Sequence, residues 1–167
     1  MKAYMEALIR FIADGTVALV VLIGAYALVA KVPKGKRYDA YCRILLAGLT
    51  ALLVAKFMAT LYQLYFPGEL RPFQQMGIAP GAAYLDNPGF PSDHALFVTA
   101  ILLAVWFETR DRTFTMIILA LAVLVGLGRV LALVHTPVDV LGGVFAASVG
   151  ALWYLTASES KKRTAKK

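Results

Sequence analysis

Long stretches without a charged side chain are the feature that most constrains this sequence. Residues 17–30, 44–55 and 116–127 contain no Asp, Glu, Lys or Arg. A helix that crosses a bilayer needs about 20 mostly apolar residues, and these stretches are the centres of segments of that length. The sequence therefore predicts an integral membrane protein made of helices.

The composition supports this prediction. Of the 167 residues, 60% are hydrophobic and 16% are charged, whereas soluble domains have about 45–50% apolar and about 25% charged residues. Cys42 is the only cysteine, which excludes an intramolecular disulfide. The N-terminal segment lacks a clean apolar core and a small-residue cleavage site, so we expect no signal peptide.

Five segments are long and apolar enough to be transmembrane helices. They cover residues 14–31, 43–66, 92–108, 113–134 and 138–157. We expect one all-α membrane domain over residues 1–157, followed by a basic cytoplasmic tail at 158–167. The predicted fold class is an integral membrane helix bundle of about five transmembrane helices with an N-terminal amphipathic interfacial helix.

That N-terminal helix, residues 1–14, has its charges at four-residue intervals. Lys2, Glu6, Arg10 and Asp14 alternate in sign, so one face of the helix would carry a stripe of ion pairs. The other faces are apolar, which favours a helix lying along the membrane surface. A direct extension of the first transmembrane helix is the alternative.

The basic residues predict the orientation. The net charge is +7, and most positive side chains fall on one side of a five-helix topology, namely Lys31, Lys34, Lys36, Arg37, Arg43, Arg110, Arg112, Lys161, Lys162, Arg163, Lys166 and Lys167. The positive-inside rule makes this side cytoplasmic, so the loop at 67–91 faces outward from the inner or plasma membrane. The patches lack the interleaved aromatics of a nucleic-acid binder. We expect the bilayer and a lipid phosphate as partners, and the oligomeric state stays open.

On the outer side, the ionisable residues converge from the ends of four predicted helices. The polar residues of this cluster are Arg71, Ser92, Asp93, His94, Arg129, His135 and Asp139. Ionisable residues at membrane depth are costly and usually mark function. Guanidinium groups and the N-terminus of a helix both suit phosphate oxygens, so this cluster predicts a phosphate site.

The two histidines supply the chemistry of a hydrolase. His135 and Asp139 are four residues apart, so the carboxylate can accept a proton from one imidazole nitrogen and leave the other to attack. His94 is then available as a general acid for the leaving oxygen. These residues predict a phosphate-ester hydrolase with a histidine nucleophile.

Other interpretations use the same residues. His135 and Asp139 could be a buried polar pair that ties two helices together, or they could ligate zinc. Only two histidines are present and the arginines repel a cation, so we expect no metal and no cofactor. A small anion transporter or channel would use Arg71 and Arg129 as a selectivity ring, but it needs a polar path inward, and Lys56 is almost the only polar residue there.

At these residues the sequence resembles the type 2 phosphatidic acid phosphatase superfamily of membrane lipid phosphatases. That family carries three motifs: Lys, six residues, Arg-Pro; Pro-Ser-Gly-His; and Ser-Arg, five residues, His, three residues, Asp. The corresponding residues here are Arg71-Pro72, then Pro91-Ser92-Asp93-His94, then Gly128-Arg129 with His135 and Asp139. The resemblance covers about residues 56–145.

The resemblance implies a role for each residue. His135 would form a phosphohistidine, Asp139 would orient it, and His94 would protonate the leaving group. The phosphoryl group would be held, without a metal, by Arg71, Arg129 and Ser92.

Three positions depart from the family pattern. Leu64 stands where the family has its first-motif Lys, Asp93 replaces Gly, and Gly128 replaces Ser. The nearest lysine, Lys56, lies 15 residues before Arg71, or about 22 Å along a helix, too far to replace the missing contact. Asp93 would either cap its helix or act at the phosphate site by tuning His94 or the water around a diphosphate.

Some of these features point to one branch of the family. Arg71-Pro72-Phe73 and Pro91-Ser92-Asp93-His94 are similar to the bacterial undecaprenyl pyrophosphate phosphatases. The similarity implies hydrolysis of undecaprenyl pyrophosphate to the monophosphate at the extracytoplasmic face, for cell-wall synthesis. A phosphatidylglycerophosphate or phosphatidate phosphatase of the same superfamily is the alternative.

Overall fold

The computed structural model describes residues 2–156, with Lys2 described by its backbone alone. The predicted tail at 158–167 and residue 157, the end of the last predicted transmembrane segment, lie outside this range. Within it the chain is helical and contains no strand, which confirms the all-α prediction. The helices are α1 (Lys2–Arg10), α2 (Thr16–Lys31), α3 (Arg37–Tyr65), α4 (Pro72–Gln75), α5 (Asp93–Thr109), α6 (Arg112–Leu131) and α7 (Pro137–Gly150).

Four helical segments of the described chain are long and apolar enough to cross a membrane. They are Ala3–Lys31, Lys34–Tyr65, Arg112–Leu131 and Pro137–Thr156. The 17-residue helix α5 is also apolar but shorter than the usual crossing length of about 20 residues. Many large apolar side chains on the outside of the bundle are exposed, for example Leu22, Leu53 and Leu141, as expected of a surface that faces lipid.

The start of α3 and the end of α6 differ from the predicted boundaries. The second long helix begins at Arg37 instead of residue 43, because a 3₁₀ turn at Lys34–Lys36 follows Pro33 and leads directly into it. Helix α6 ends at Leu131 instead of 134, because Leu133 adopts a left-handed backbone with a φ of 57°, a conformation that an α-helix cannot continue through. His135 therefore lies in the turn between α6 and α7.

The N-terminal helix is continuous with the first long helix. A π-helical turn, Phe11–Gly15, joins α1 to α2 without a break, so α1 and α2 form one rod in place of two separate helices. Its first turns are amphipathic and leave Tyr4, Met5 and Leu8 exposed. This geometry matches the extension that the sequence left as the alternative to a separate surface helix.

Helix α5 lies at the centre and packs against α2, α3, α6 and α7. Its contact with α7 is close because Gly143 has no side chain, and a Cβ atom there would collide with the carbonyl oxygen of Ser92. Small residues allow helices to approach in this way. The contact brings the N-termini of α5 and α7 together at the end of the bundle that the basic charges predict to face outward.

The opposite end of the bundle is closed by ion pairs. Arg43 on α3 donates two hydrogen bonds of 2.7 Å to Glu108 on α5. Lys31 lies 3.0 Å from the carboxylate of Asp111, and this contact holds the pKa of Asp111 below its ordinary value. These residues belong to the segments that the basic charges predict to be cytoplasmic.

Candidate active site

The start of α7 holds Asp139 in a fixed position. Thr136 is the N-cap of α7, and its hydroxyl oxygen accepts a hydrogen bond of 3.2 Å from the backbone N–H of Asp139. In return, Oδ2 of Asp139 accepts a 2.7 Å hydrogen bond from the backbone N–H of Thr136. Pro137 occupies the first helical turn, where its fixed φ suits the helix. This capping box leaves the Asp139 carboxylate little freedom to turn.

His135 precedes the capping box and faces the same carboxylate. Its Nδ1 lies 3.5 Å from Oδ2 of Asp139, and both side chains are buried. The distance is long for a hydrogen bond, and contacts of this kind often tighten only when substrate binds. Nδ1 is buried, and among the described residues it has no hydrogen-bond partner. Asp139 is therefore the group placed to orient the imidazole.

Burial also sets the charge of His135. Loss of solvent lowers the pKa of His135 below its ordinary value, and the guanidinium groups of Arg129 and Arg71 lower it further, while Asp139 opposes them. A lowered pKa keeps the imidazole neutral near pH 7, with one ring nitrogen unprotonated. A neutral imidazole is the form that can act as a nucleophile.

Arg129 is the most buried charged side chain of the cluster, with an exposed fraction of 1%. Its Nη1 donates a 2.8 Å hydrogen bond to Oδ1 of Asp14. Its Nε is buried and has no acceptor among the residues that the structure describes. A buried guanidinium N–H without a partner is costly, which indicates that a ligand oxygen completes the site.

Asp14 is the site residue that the sequence did not predict. Oδ1 of this carboxylate lies 2.8 Å from Nη1 of Arg129 and 3.9 Å from Nε2 of His94, and Oδ2 accepts a 2.9 Å hydrogen bond from the backbone N–H of Ala83. The prediction that Asp14 belongs to a surface stripe with Arg10 is therefore wrong. The available signal was a carboxylate next to the apolar stretch at 17–30, at its predicted outer end.

The start of α5 contributes Ser92 and His94. Ser92 is the N-cap, and its hydroxyl oxygen accepts a 3.4 Å hydrogen bond from the backbone N–H of Ala95. Its own backbone N–H donates to the carbonyl oxygen of Asp139 at 2.9 Å, which ties α5 to α7. His94 follows in the first turn and is half-buried. Ser92, and not Asp93, is therefore the capping residue.

Arg71 reaches the cluster from the outer loop but is already held by protein oxygens. Its Nη1 donates to the carbonyl oxygen of Val134 at 2.6 Å, and its Nη2 contacts Oδ1 of Asn87 at 2.8 Å. Longer bonds of 3.1 and 3.2 Å join Nη2 to the carbonyl oxygens of Asn87 and Leu85. Burial lowers the pKa of Arg71, although a guanidinium stays protonated in proteins. Arg71 fixes the loop beside His135.

Two cavities adjoin the cluster. The larger, of about 460 Å³, is lined by Arg71, Asp139, Thr136 and the end of α3, and Glu69 and Asp86 lie at its rim. The smaller, of about 200 Å³, is lined by Lys56, Gln63 and Asp93. Asp93 is exposed, and its charge acts on Arg71 and His94. Lys56 faces the same small cavity.

Six of the seven predicted residues form one connected group at one end of the bundle. They are His135, Asp139, Arg129, His94, Ser92 and Arg71, joined by the contacts described above. Asp93 lies at the same end of the bundle, between Ser92 and His94, but its side chain is exposed. Within residues 2–156, no three His, Cys, Asp or Glu side chains are grouped so that they could hold a metal ion.

Comparison with known proteins gave a match to one family. The family model described as the PAP2 superfamily matches residues 40–163. The chain is 35% identical over 114 residues to the undecaprenyl-diphosphatase BcrC of Bacillus subtilis, covering 66% of this chain and 56% of that protein. It is 32% identical over 104 residues to a protein of Escherichia coli named "Putative undecaprenyl-diphosphatase YbjG", covering 61% of this chain and 50% of that protein.

The chain therefore spans about half the length of the curated relatives that it matches. No solved structure matches the chain significantly.

Proposed function

Because the chain belongs to the PAP2 superfamily, we propose that it is a membrane lipid phosphatase that uses His135 as its nucleophile. The observation that carries the proposal is the buried group formed by His135, Asp139 and Arg129. It combines a neutral imidazole, a fixed carboxylate 3.5 Å from Nδ1, and a guanidinium Nε that lacks an acceptor. An anion bound at Arg129 would complete this arrangement.

The first step transfers the phosphoryl group to the protein. Nε2 of His135 attacks phosphorus, and the bond between phosphorus and the bridging oxygen breaks. Asp139 stabilises the positive charge that develops on the imidazole, as a carboxylate does in other histidine-based sites. Arg129 donates hydrogen bonds to the equatorial oxygens, and His94 gives its proton to the leaving lipid phosphate or alkoxide.

The second step regenerates the enzyme. His94, now unprotonated, accepts a proton from water, and the resulting hydroxide attacks phosphorus as the bond to Nε2 of His135 breaks. Inorganic phosphate leaves, and both histidines return to their starting states. Each step needs only residues of this chain and water, so we expect activity without a metal or a cofactor.

We propose a polyprenyl diphosphate as the substrate, with undecaprenyl pyrophosphate as the natural example. The names of both relatives support this class. The cavity of about 460 Å³ supports it as well, because Gln63, Gln74 and Asn87 line it next to Arg71, and amide groups can hydrogen-bond a second phosphate.

Phosphate release by the purified protein in detergent tests this function. The panel contains undecaprenyl pyrophosphate, phosphatidic acid and phosphatidylglycerophosphate, each with EDTA. We expect release from the diphosphate with EDTA present and none with His135→Ala. Faster release from a monophosphate would show that the substrate is a lipid monophosphate and not a diphosphate. Loss of activity with EDTA would favour a metal enzyme. Equal activity of His135→Ala and wild type would overturn the mechanism.

We also propose that the site faces the extracytoplasmic side, as the basic residues predict. Labelling of single cysteines in a Cys42→Ser background tests this orientation. Asp86→Cys lies in the exposed outer loop, and Lys34→Cys lies at the opposite end of the bundle. We expect a membrane-impermeant maleimide to label residue 86 in intact cells and residue 34 only after permeabilisation. The reverse pattern would contradict the orientation.

A further inference from the structure

The π-helical turn between α1 and α2 directs a carboxylate into the candidate active site. Asp14 lies in this turn, and π-helical turns are frequent at functional sites. Oδ2 is anchored by the backbone N–H of Ala83 at 2.9 Å, while Oδ1 faces Nη1 of Arg129 at 2.8 Å and Nε2 of His94 at 3.9 Å. One carboxylate therefore contacts two residues of the proposed mechanism.

A second observation concerns the close contact between the π-helical turn and α6. A Cβ atom at Gly128 would lie 2.7 Å from the backbone nitrogen of Ala13 and 2.9 Å from its Cα. Backbone atoms cannot move aside as the end of a side chain can, so the close contact requires glycine. Gly128 stands where the resembling family has Ser. Because Gly128 has no side chain, the π-helical turn can pack against α6. Asp14 then faces the candidate active site.

The surroundings of His94 single out this carboxylate. The charged or titratable groups that act on His94 from the elements around it are Arg129 on α6, His135 in the following turn, Asp14 on the π-helical turn and Asp93 on its own helix. Asp14 is the acidic group among them that lies within ion-pair distance of the ring, whereas Asp93 is exposed. Each histidine of the chain thus faces one carboxylate.

We propose that Asp14 is a positioning residue that anchors on Arg129 and orients His94 as the general acid. The inference rests on the proposed phosphatase function. In the first step His94 loses the proton on the ring nitrogen that faces the bridging oxygen, and in the second step it takes one from water. Asp14 undergoes no covalent change. It acts by holding the ring and by favouring the protonated form of His94 that donates to the leaving oxygen, as a nearby carboxylate does.

Asp14→Asn, which removes the charge and preserves the shape, tests this role with two leaving groups. Phosphatidic acid expels an alkoxide, which needs a proton, whereas p-nitrophenyl phosphate expels a stable phenolate, which does not. Since general acid catalysis contributes about 10²–10⁴-fold, we expect Asp14→Asn to lower kcat/KM about 30-fold for phosphatidic acid and about threefold for p-nitrophenyl phosphate. Glu6→Gln, an exposed carboxylate on the same rod, is the matched control.

A double-mutant cycle separates positioning from mere structural support. If Asp14 acts through His94, Asp14→Asn will lower kcat/KM for phosphatidic acid no further in a His94→Gln background. An equal loss on both substrates, or full additivity in the cycle, would overturn the inference. So would activity of Asp14→Asn within twofold of Glu6→Gln on both substrates.

Gly128→Ser covers the case in which Asp14→Asn does not fold. Its Cβ would push the π-helical turn away from α6, and we expect the same preference for the better leaving group. Gly48→Ala is the matched helical control, since a Cβ there meets no atom within 4 Å. Unchanged leaving-group dependence in Gly128→Ser would contradict the inference. If the wild-type protein released no phosphate from any substrate, the proposed function itself would fail.

Discussion

The two histidines each face a carboxylate, but the two pairs are built differently. His135 and Asp139 lie on one helix start, 3.5 Å apart, and their side chains are 5% and 9% exposed. His94 and Asp14 come from distant parts of the chain, 3.9 Å apart, and their side chains are 32% and 27% exposed. The first pair is dry and fixed, which suits a nucleophile that must attack along one line. The second is open, which suits an acid that must meet a leaving lipid.

The two pairs also differ in whether local or long-range contacts hold them in place. The His135 pair depends on a capping box within four residues, so its geometry is set almost as soon as α7 forms. The His94 pair depends on packing of the N-terminal rod against α6. Substitutions near residue 135 should therefore act on chemistry and on the local start of α7, whereas changes at the N-terminal rod should act on chemistry and on the packing between distant helices.

The largest expected effect comes from removing the nucleophile of the first pair. His135→Ala leaves no group that can form the covalent intermediate, and loss of such a residue costs at least about 10⁴-fold in kcat. Steady-state phosphate release measures it, with a thermal melt in detergent to verify folding. Residual activity within about 100-fold of wild type would show that another group attacks phosphorus.

Asp139→Asn keeps the nucleophile but removes its orienting charge. By analogy with other triads we expect kcat to fall by about 10²–10⁴-fold. Asp139 opposes the lowered pKa of His135, so its removal lowers that pKa further, and the acid limb of the kcat/KM profile moves to lower pH. A pH–rate profile measures the shift, with Asp39→Asn, an exposed carboxylate on α3, as the control. An acid limb that moves to higher pH would contradict the assignment.

Arg129→Lys tests the group that the two pairs share. Lysine keeps the charge but lacks the planar fork, so it cannot contact Asp14 and the phosphoryl oxygens together. We expect kcat to fall by about 10²-fold for p-nitrophenyl phosphate. The loss should be larger for phosphatidic acid, because Arg129 stabilises the phosphoryl group and also anchors Asp14, which faces His94. Measurement of both substrates checks this, and a loss confined to phosphatidic acid would refute it.

The smallest effect on catalysis is expected at the opposite end of the bundle. Arg43→Gln leaves Glu108 largely buried without its two hydrogen bonds, which costs about 1–3 kcal/mol of stability. We expect a lower melting temperature in detergent and a kcat/KM within about twofold of wild type. Arg112→Gln, an exposed arginine nearby, is the control. A large loss of kcat would mean that the two ends of the bundle are coupled.

Most of the first pair was predictable from sequence, and the second was not. The four-residue spacing predicted that His135 and Asp139 meet, and they do, although His135 lies in the turn before α7 and the capping box of Thr136 and Asp139 holds the carboxylate. The same rule misled at the N-terminus, where the four-residue spacing of Lys2, Glu6, Arg10 and Asp14 predicted a single stripe of ion pairs. Asp14 lies within the π-helical turn, which interrupts the regular repeat of the α-helix, and it contacts Arg129 instead of joining the stripe.

Other differences have similar causes. The apolar stretches identified the long helices. Nothing in residues 11–15 breaks a helix, so α1 continues into α2, whereas the charge stripe at residues 2–14 had favoured a separate surface helix. Arg71 was predicted at the site, but its bonds to Val134 and Asn87 depend on how the outer loop folds, and that loop has no periodic pattern. Composition and local spacing therefore predict the helices and the proposed nucleophile, while tertiary packing decides the partners of the arginines and of His94.

The most direct test of the central claim is to trap the covalent intermediate. Wild-type protein is mixed with ³²P-labelled substrate, quenched with alkaline detergent within milliseconds and mapped by peptide mass spectrometry. The account predicts an acid-labile, base-stable phosphate on His135 that forms before steady state and is absent from His135→Ala. A burst of product without labelled protein, or a label on any other residue, would contradict it.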